Sequence, residues 1–120
     1  RRNEALLGKS TVLIEQKNHA VALKTVTEAI AKADPEDSAV QAEAYILKGE
    51  CLKAQGQTKE AILAYLHVPV LFEKEAMSNA RALYNLATLW EKVEQPERGL
   101  AARTELTDKY AESKWAKMLK

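Results

Sequence analysis

The stretch Leu47-Lys48-Gly49-Glu50-Cys51-Leu52, followed by Gly56 and then by Glu60-Ala61-Ile62, reads as a helix, a stop and a second helix. Leucine, lysine, glutamate and alanine are strong helix formers, and Gly56 suits the left-handed residue that ends a helix. Gly49 stands between the large residues Tyr45 and Leu52, and the small Ala61 follows nine residues after Leu52. Small residues at these two places let one helix backbone approach the other. A bulky side chain at either would hold the pair apart.

The same pattern recurs on both sides. Leu6, Ser10, Leu13, Ala22, Val26 and Ala29 lie 39 residues before Tyr45, Gly49, Leu52, Ala61, Tyr65 and Val68. Leu83, Ala87, Trp90, Gly99, Arg103 and Leu106 lie 38 residues after them. A period of this length marks an array of repeats that bury their cores against neighbours. Gly56, Pro35 and Pro96 fall near expected helix ends, whereas Pro69 falls inside one. No stretch alternates apolar and polar residues over strand length. The expected fold is all-α, an α-solenoid of three helix-turn-helix repeats over about 4–33, 38–72 and 75–110, with a partial last helix at 113–120.

Local signals place the ends. The turns within pairs are Lys17-Asn18-His19, Gln55-Gly56-Gln57 and Glu94-Gln95-Pro96, and Asp34-Pro35-Glu36-Asp37-Ser38 separates the first two pairs. Thr58 is expected to cap the fourth helix. Pro96 fits a first helical position, where its missing N–H costs nothing. Ser38 with Gln41 resembles a capping box, and Ser113 suits the cap of a short helix holding Trp115, Met118 and Leu119. The expected helices span about 4–16, 19–33, 38–55, 58–72, 75–93 and 96–110. Pro69 falls inside the fourth, which predicts a kink there or a stop near Val68.

The bulk numbers bound the function. With 120 residues, 47% hydrophobic and 29% charged, the chain is expected to be one folded domain, not a disordered segment. The net charge is +1 and the basic residues are interleaved with glutamates, so no nucleic-acid footprint is present. Cys51 is the single cysteine and excludes an internal disulfide. No apolar run reaches the roughly 18 residues of a membrane span, so no membrane insertion by this segment is expected. No signal peptide is visible. The chain starts at Arg1, not at methionine, and is expected to be cut from something longer.

From Ala42 to Trp115 the chain resembles tetratricopeptide repeats. The resemblance rests on Leu47 to Leu52 with Gly56 and Glu60-Ala61-Ile62, and on Leu83-Tyr84-Asn85-Leu86-Ala87-Thr88-Leu89-Trp90. The segment Glu4 to Ala33 matches less well, and the spacing here exceeds the usual period of roughly 34. The ending Lys109-Tyr110-Ala111-Glu112-Ser113-Lys114-Trp115-Ala116 is similar to repeats of bacterial envelope proteins, namely the Tol-Pal coordinator and the outer-membrane assembly lipoproteins. Ala111 stands where that pattern often has proline. The resemblance implies a right-handed superhelix whose groove, lined by the first helix of each pair, binds peptides or partner domains. It implies no catalysis and no cofactor, and it leans toward a bacterial periplasm or envelope.

No chemistry emerges from the titratable residues. His19 and His67 fall in different repeats without zinc-site spacing, so no metal site is expected. Cys51 has no histidine near it in sequence and reads as a small packed residue. Glu73 and Glu75, or Glu91 and Glu94, read as solvated helix surface. Trp90 repeats the position of Leu13 and Leu52 and is expected in the core. Trp115 is expected to cap the stack, or otherwise to meet a partner. From the resemblance, the exposed groove positions are Glu43, Ile46, Glu50 and Lys53 on the second repeat, and Arg81, Tyr84, Asn85 and Thr88 on the third. Arg81 and Asn85 partly fit a clamp for a C-terminal carboxylate, but Ile46, Glu50 and Tyr84 do not supply its other members. The expected function is a scaffold for a protein or peptide partner. A spacer or self-association module in a larger protein is the alternative, and regulation of an attached enzyme is a third reading.

Overall fold

The computed structural model describes residues 2–119, so Arg1 and Lys120, at the ends of the expected domain, lie outside it. Seven helices follow in order: α1 (Arg2–Glu15), α2 (His19–Lys32), α3 (Ser38–Ala54), α4 (Thr58–Leu71), α5 (Ala76–Lys92), α6 (Pro96–Lys109) and α7 (Lys114–Met118). No strand occurs among the described residues.

One turn is built three times. Lys17, Gly56 and Glu94 have φ of 61°, 79° and 62°, the left-handed conformation. The N–H after each reaches back to close the preceding helix: Asn18 to the Leu13 carbonyl at 2.8 Å, Gln57 to Leu52 at 2.9 Å, and Gln95 to Trp90 at 2.9 Å. The left-handed residues themselves donate to Ile14, Lys53 and Glu91. These paired bonds satisfy carbonyls that a helix end leaves open.

Helices α3 and α4 start where expected, but their cap residues each lie one position earlier than expected. Asp37, not Ser38, is the cap of α3, and its carboxylate accepts from the Val40 N–H at 3.2 Å. The Ser38 hydroxyl is thereby free to donate to Glu75, just before α5, at 2.5 Å. Thr58 is the first residue of α4, and the cap position is Gln57, which makes no side-chain cap bond. Pro96 opens α6 and Ser113 caps α7, accepting from the Ala116 N–H at 3.2 Å, both as expected. Pro69 does not end α4 at Val68, because the helix runs on to Leu71. Proline withdraws the N–H that the Tyr65 carbonyl would have received. The Phe72 N–H then bonds Val68 at 2.8 Å, so the last turn closes beyond the proline.

Helix contacts repeat with the turns. α1 meets α2 and α3, α3 meets α4 and α5, and α5 meets α6 and α7. α2 also meets α3, α4 meets α5 and α6 meets α7, whereas α2, α4 and α6 do not meet one another. The small residues make this packing possible. A Cβ on Gly49 would lie 2.7 Å from the ring of Tyr65, and one on Gly99 would lie 2.9 Å from the Ala87 carbonyl oxygen. Ser10, Ala22, Ala61 and Ala87 are all buried. Leu7, Val26, Val40 and Leu47 fill the core between α1, α2 and α3. Ile46, Tyr65, Leu83, Leu86, Leu89 and Leu106 belong to a larger core that runs on to α7. Trp90, expected inside, is only partly buried. One side packs on this core, and the Arg98 guanidinium lies 5.2 Å from its ring.

Candidate functional site

A cleft of about 330 Å³ opens between α3, α5 and α7. Glu43 and Ile46 line it from α3, Met77, Ser78 and Arg81 from α5, and Trp115 from α7, with Ala39 and Glu75 completing the wall. Met77 and Trp115 give it apolar surface, and Glu43, Glu75, Ser78 and Arg81 give it polar surface of similar extent.

The charged groups are already engaged with one another. Arg81 donates to Glu50 at 2.7 Å, a pair that is only about a quarter to a third exposed. The same guanidinium lies 5.5 Å from the centre of the Trp115 ring, and Lys114 lies 4.7 Å from it. Both are attracted to the negative face of the indole. Tyr84 packs on Trp115 with ring centres 5.7 Å apart. The ammonium of Lys53 donates to the Asn85 carbonyl oxygen at 2.8 Å, and the Asn85 amide donates to the Arg81 backbone carbonyl at 2.9 Å. The Thr88 hydroxyl donates to the Asn85 backbone carbonyl at 2.9 Å, whereas Lys53 bonds the side-chain Oδ1. These links fix the helices α3 and α5 side by side.

The eight expected groove positions therefore divide. Glu43, Ile46 and Arg81 line the cleft, Glu50 holds Arg81, and Tyr84 supports Trp115. Lys53, Asn85 and Thr88 form the neighbouring network. Two of them are not exposed as expected: Ile46 is 1% and Asn85 2% accessible. Ile46 is drawn into the core where α3 meets α5, and both ends of the Asn85 amide are consumed by internal bonds. A carboxylate clamp that needs Arg81 and Asn85 free is not what this geometry offers. The sequence reading missed Ala39, Glu75, Met77 and Ser78. Ala39, Met77 and Trp115 are spaced by 38 and 38 residues, so extending the repeat alignment into α7 finds them.

The remaining titratable groups are structural. Burial, and then the nearby Glu50, push the Cys51 thiol up to about 11, which suppresses the thiolate that nucleophilic chemistry requires. Tyr65 is also pushed up, by burial first and then by Glu50, with Arg81 opposing. Its hydroxyl finds no hydrogen-bond partner among the described residues. Lys109 donates to Glu73 at 2.9 Å, and this bond lowers the Glu73 pKa and raises that of Lys109. His67 is partly exposed and stacks on Tyr45 with ring centres 4.0 Å apart and planes within 5°. No group of three or more His, Cys, Asp or Glu placed to hold a metal ion occurs among the described residues. Among them, no helix is long and apolar enough to cross a membrane.

In comparisons with known proteins, no family model, no curated protein and no solved structure matches the chain.

Proposed function

We propose that the chain is a tetratricopeptide-like α-solenoid that holds a protein or peptide partner in the groove lined by α1, α3, α5 and α7. The alternation of helix contacts and the triplicate turn support the repeat reading. The cleft between α3, α5 and α7 carries the binding reading. Its lining mixes apolar side chains with carboxylates and Arg81, and its walls are pinned by the Glu50–Arg81 pair and the Trp115 stack. A pre-formed cleft of this kind spares a ligand the cost of ordering its site. A segment lying along it would place an apolar side chain against Trp115 and Met77 and its polar groups toward Glu43 and Glu75.

The test is a selection of displayed random peptides on the wild-type chain, with Ser78→Trp as the comparison target. Ser78 is a half-buried residue of the cleft wall, and an indole there takes up space within the cleft. Circular dichroism checks that the variant keeps its helices. The expected result is enriched peptides whose affinity falls by about tenfold or more on Ser78→Trp. Peptides that bind both chains equally, or no enrichment at all, would remove the groove reading.

A further inference from the structure

The outward face of α4 is unlike its counterparts in the other two repeats. Leu63, Val70 and Leu71 are 62%, 72% and 63% exposed, the most exposed run of large apolar side chains in the fold. With the partly exposed Leu66 and His67 they line a shallow cleft of about 260 Å³. Residues 61–72 contain no Asp, Glu, Lys or Arg. The repeat offsets give the matching positions elsewhere. For Leu63, Leu66, His67, Val70 and Leu71 they are Lys24, Thr27, Glu28, Ala31 and Lys32 on α2. On α6 they are Ala101, Thr104, Glu105, Asp108 and Lys109. The same fold therefore tolerates polar and charged side chains at these positions, so the packing of the solenoid does not require the leucines. An apolar stripe flanked by polar neighbours of this kind marks an interaction surface.

The charges at its ends select the occupant. Lys59 stands at the start of α4 and Glu73 just past its end, where Glu73 also accepts from Lys109 of its own chain at 2.9 Å and would be shared between the two lysines in the pair. We propose that α4 pairs with α4 of a second copy, antiparallel about a two-fold axis near Leu66. In that register Leu63 meets Val70 of the partner subunit, and Lys59 meets Glu73 of the partner subunit, at both ends at once. The helix dipoles also oppose favourably. A parallel pairing would instead bring Lys59 against its own copy and Glu73 against its own copy. The stripe shares no residue with the cleft beside Trp115, so this contact and the groove reading stand separately. One helix-on-helix contact is smaller than the roughly 800 Å² per partner of a standard interface. Dissociation in the micromolar range is the corresponding expectation.

Sedimentation equilibrium on the full chain over about 1 μM to 500 μM tests this across the expected range. The mass should rise toward that of a dimer with concentration. Leu63→Glu with Val70→Glu should stay monomeric while keeping its helical signal. In a Lys109→Ala background, which removes the internal partner of Glu73, Lys59→Glu should weaken association several-fold, and adding Glu73→Lys should restore it. A monomer at every concentration would overturn the proposal and give the stripe to a different protein. A dimer that persists in the Leu63→Glu/Val70→Glu chain would place the interface elsewhere. Failure of the charge exchange to restore association would overturn the antiparallel register.

Discussion

Adding one methyl group at Gly49 and one at Gly8 should shift stability in opposite directions. Both glycines are within helices, where alanine is favoured by roughly 0.5–1 kcal/mol. At Gly8 nothing lies within 4 Å of the new Cβ, so Gly8→Ala should show that gain alone. At Gly49 the Cβ would lie 2.7 to 2.8 Å from three atoms of the Tyr65 ring, well inside contact distance. Tyr65 is wholly buried, and its ring cannot swing aside into solvent. Overpacking of this kind costs about 1–3 kcal/mol, which exceeds the helix gain. The expected net loss is about 1–2 kcal/mol. For a chain of this size that is a fall in Tm of roughly 3–8 °C. Urea unfolding followed by the helical circular dichroism signal measures both variants against the parent. Shrinking the ring by Tyr65→Leu in the Gly49→Ala chain should cost less than the sum of the two single changes, because the clash is shared between them. If Gly49→Ala is as stable as Gly8→Ala, the close crossing of α3 and α4 is not what sets this glycine.

Three further outcomes follow from local geometry. Glu94→Gly should stabilise the chain by up to about 1 kcal/mol in the same unfolding assay, since Glu94 holds φ of 62° where Gly56 holds 79° without a Cβ penalty. Pro69→Ala should stabilise it by about 1–3 kcal/mol, because an N–H returns to the Tyr65 carbonyl inside α4; a loss of stability would mean that the proline shapes the helix usefully. Cys51 has its pKa raised from the ordinary 9.0 to about 11 in the folded state, so its contribution is complete below about 9 and is lost as pH rises toward 11. The urea midpoint should fall over that window in the parent more than in Cys51→Ala, and a native-state thiol that reacts as fast as free cysteine would refute the burial.

The helices were legible because the repeat states each of them three times. A single Ala-rich segment carries weak propensity, but three segments with small residues at one offset define a crossing. The left-handed residue was legible only once, at Gly56. At Lys17 and Glu94 the same backbone carries a residue that gives no hint of it, and only the repeat spacing points there. The cap assignment slips by one residue where two good caps adjoin, as at Asp37 and Ser38. Ile46 was placed in the groove although its counterparts are Leu7 and Tyr84. Three apolar residues at one repeat position are a core signal, and Ile46 is indeed buried. Asn85 offered no such warning, since its counterparts are Gly8 and Leu47. Its burial depends on the bond from Lys53, which lies 32 residues away.

Positions where the three repeats agree hold the stack together, and positions where one repeat departs point to what that stack can do. Ala39, Met77 and Trp115 occupy one position on α3, α5 and α7, and the side chain grows along the series. Small and flexible residues there would suffice for packing. The growth instead walls the cleft between α3, α5 and α7, where Arg81 and Tyr84 brace the indole. On the other helices the departure is in polarity: Lys24, Leu63 and Ala101 share a position, as do Ala31, Val70 and Asp108. Exposed leucine and valine gain nothing from water, and their counterparts show that the fold has polar solutions available. A chain whose pattern recurs in this way contains its own controls. Each copy shows what the architecture permits, so a side chain that the architecture does not need is evidence for a surface that something else covers.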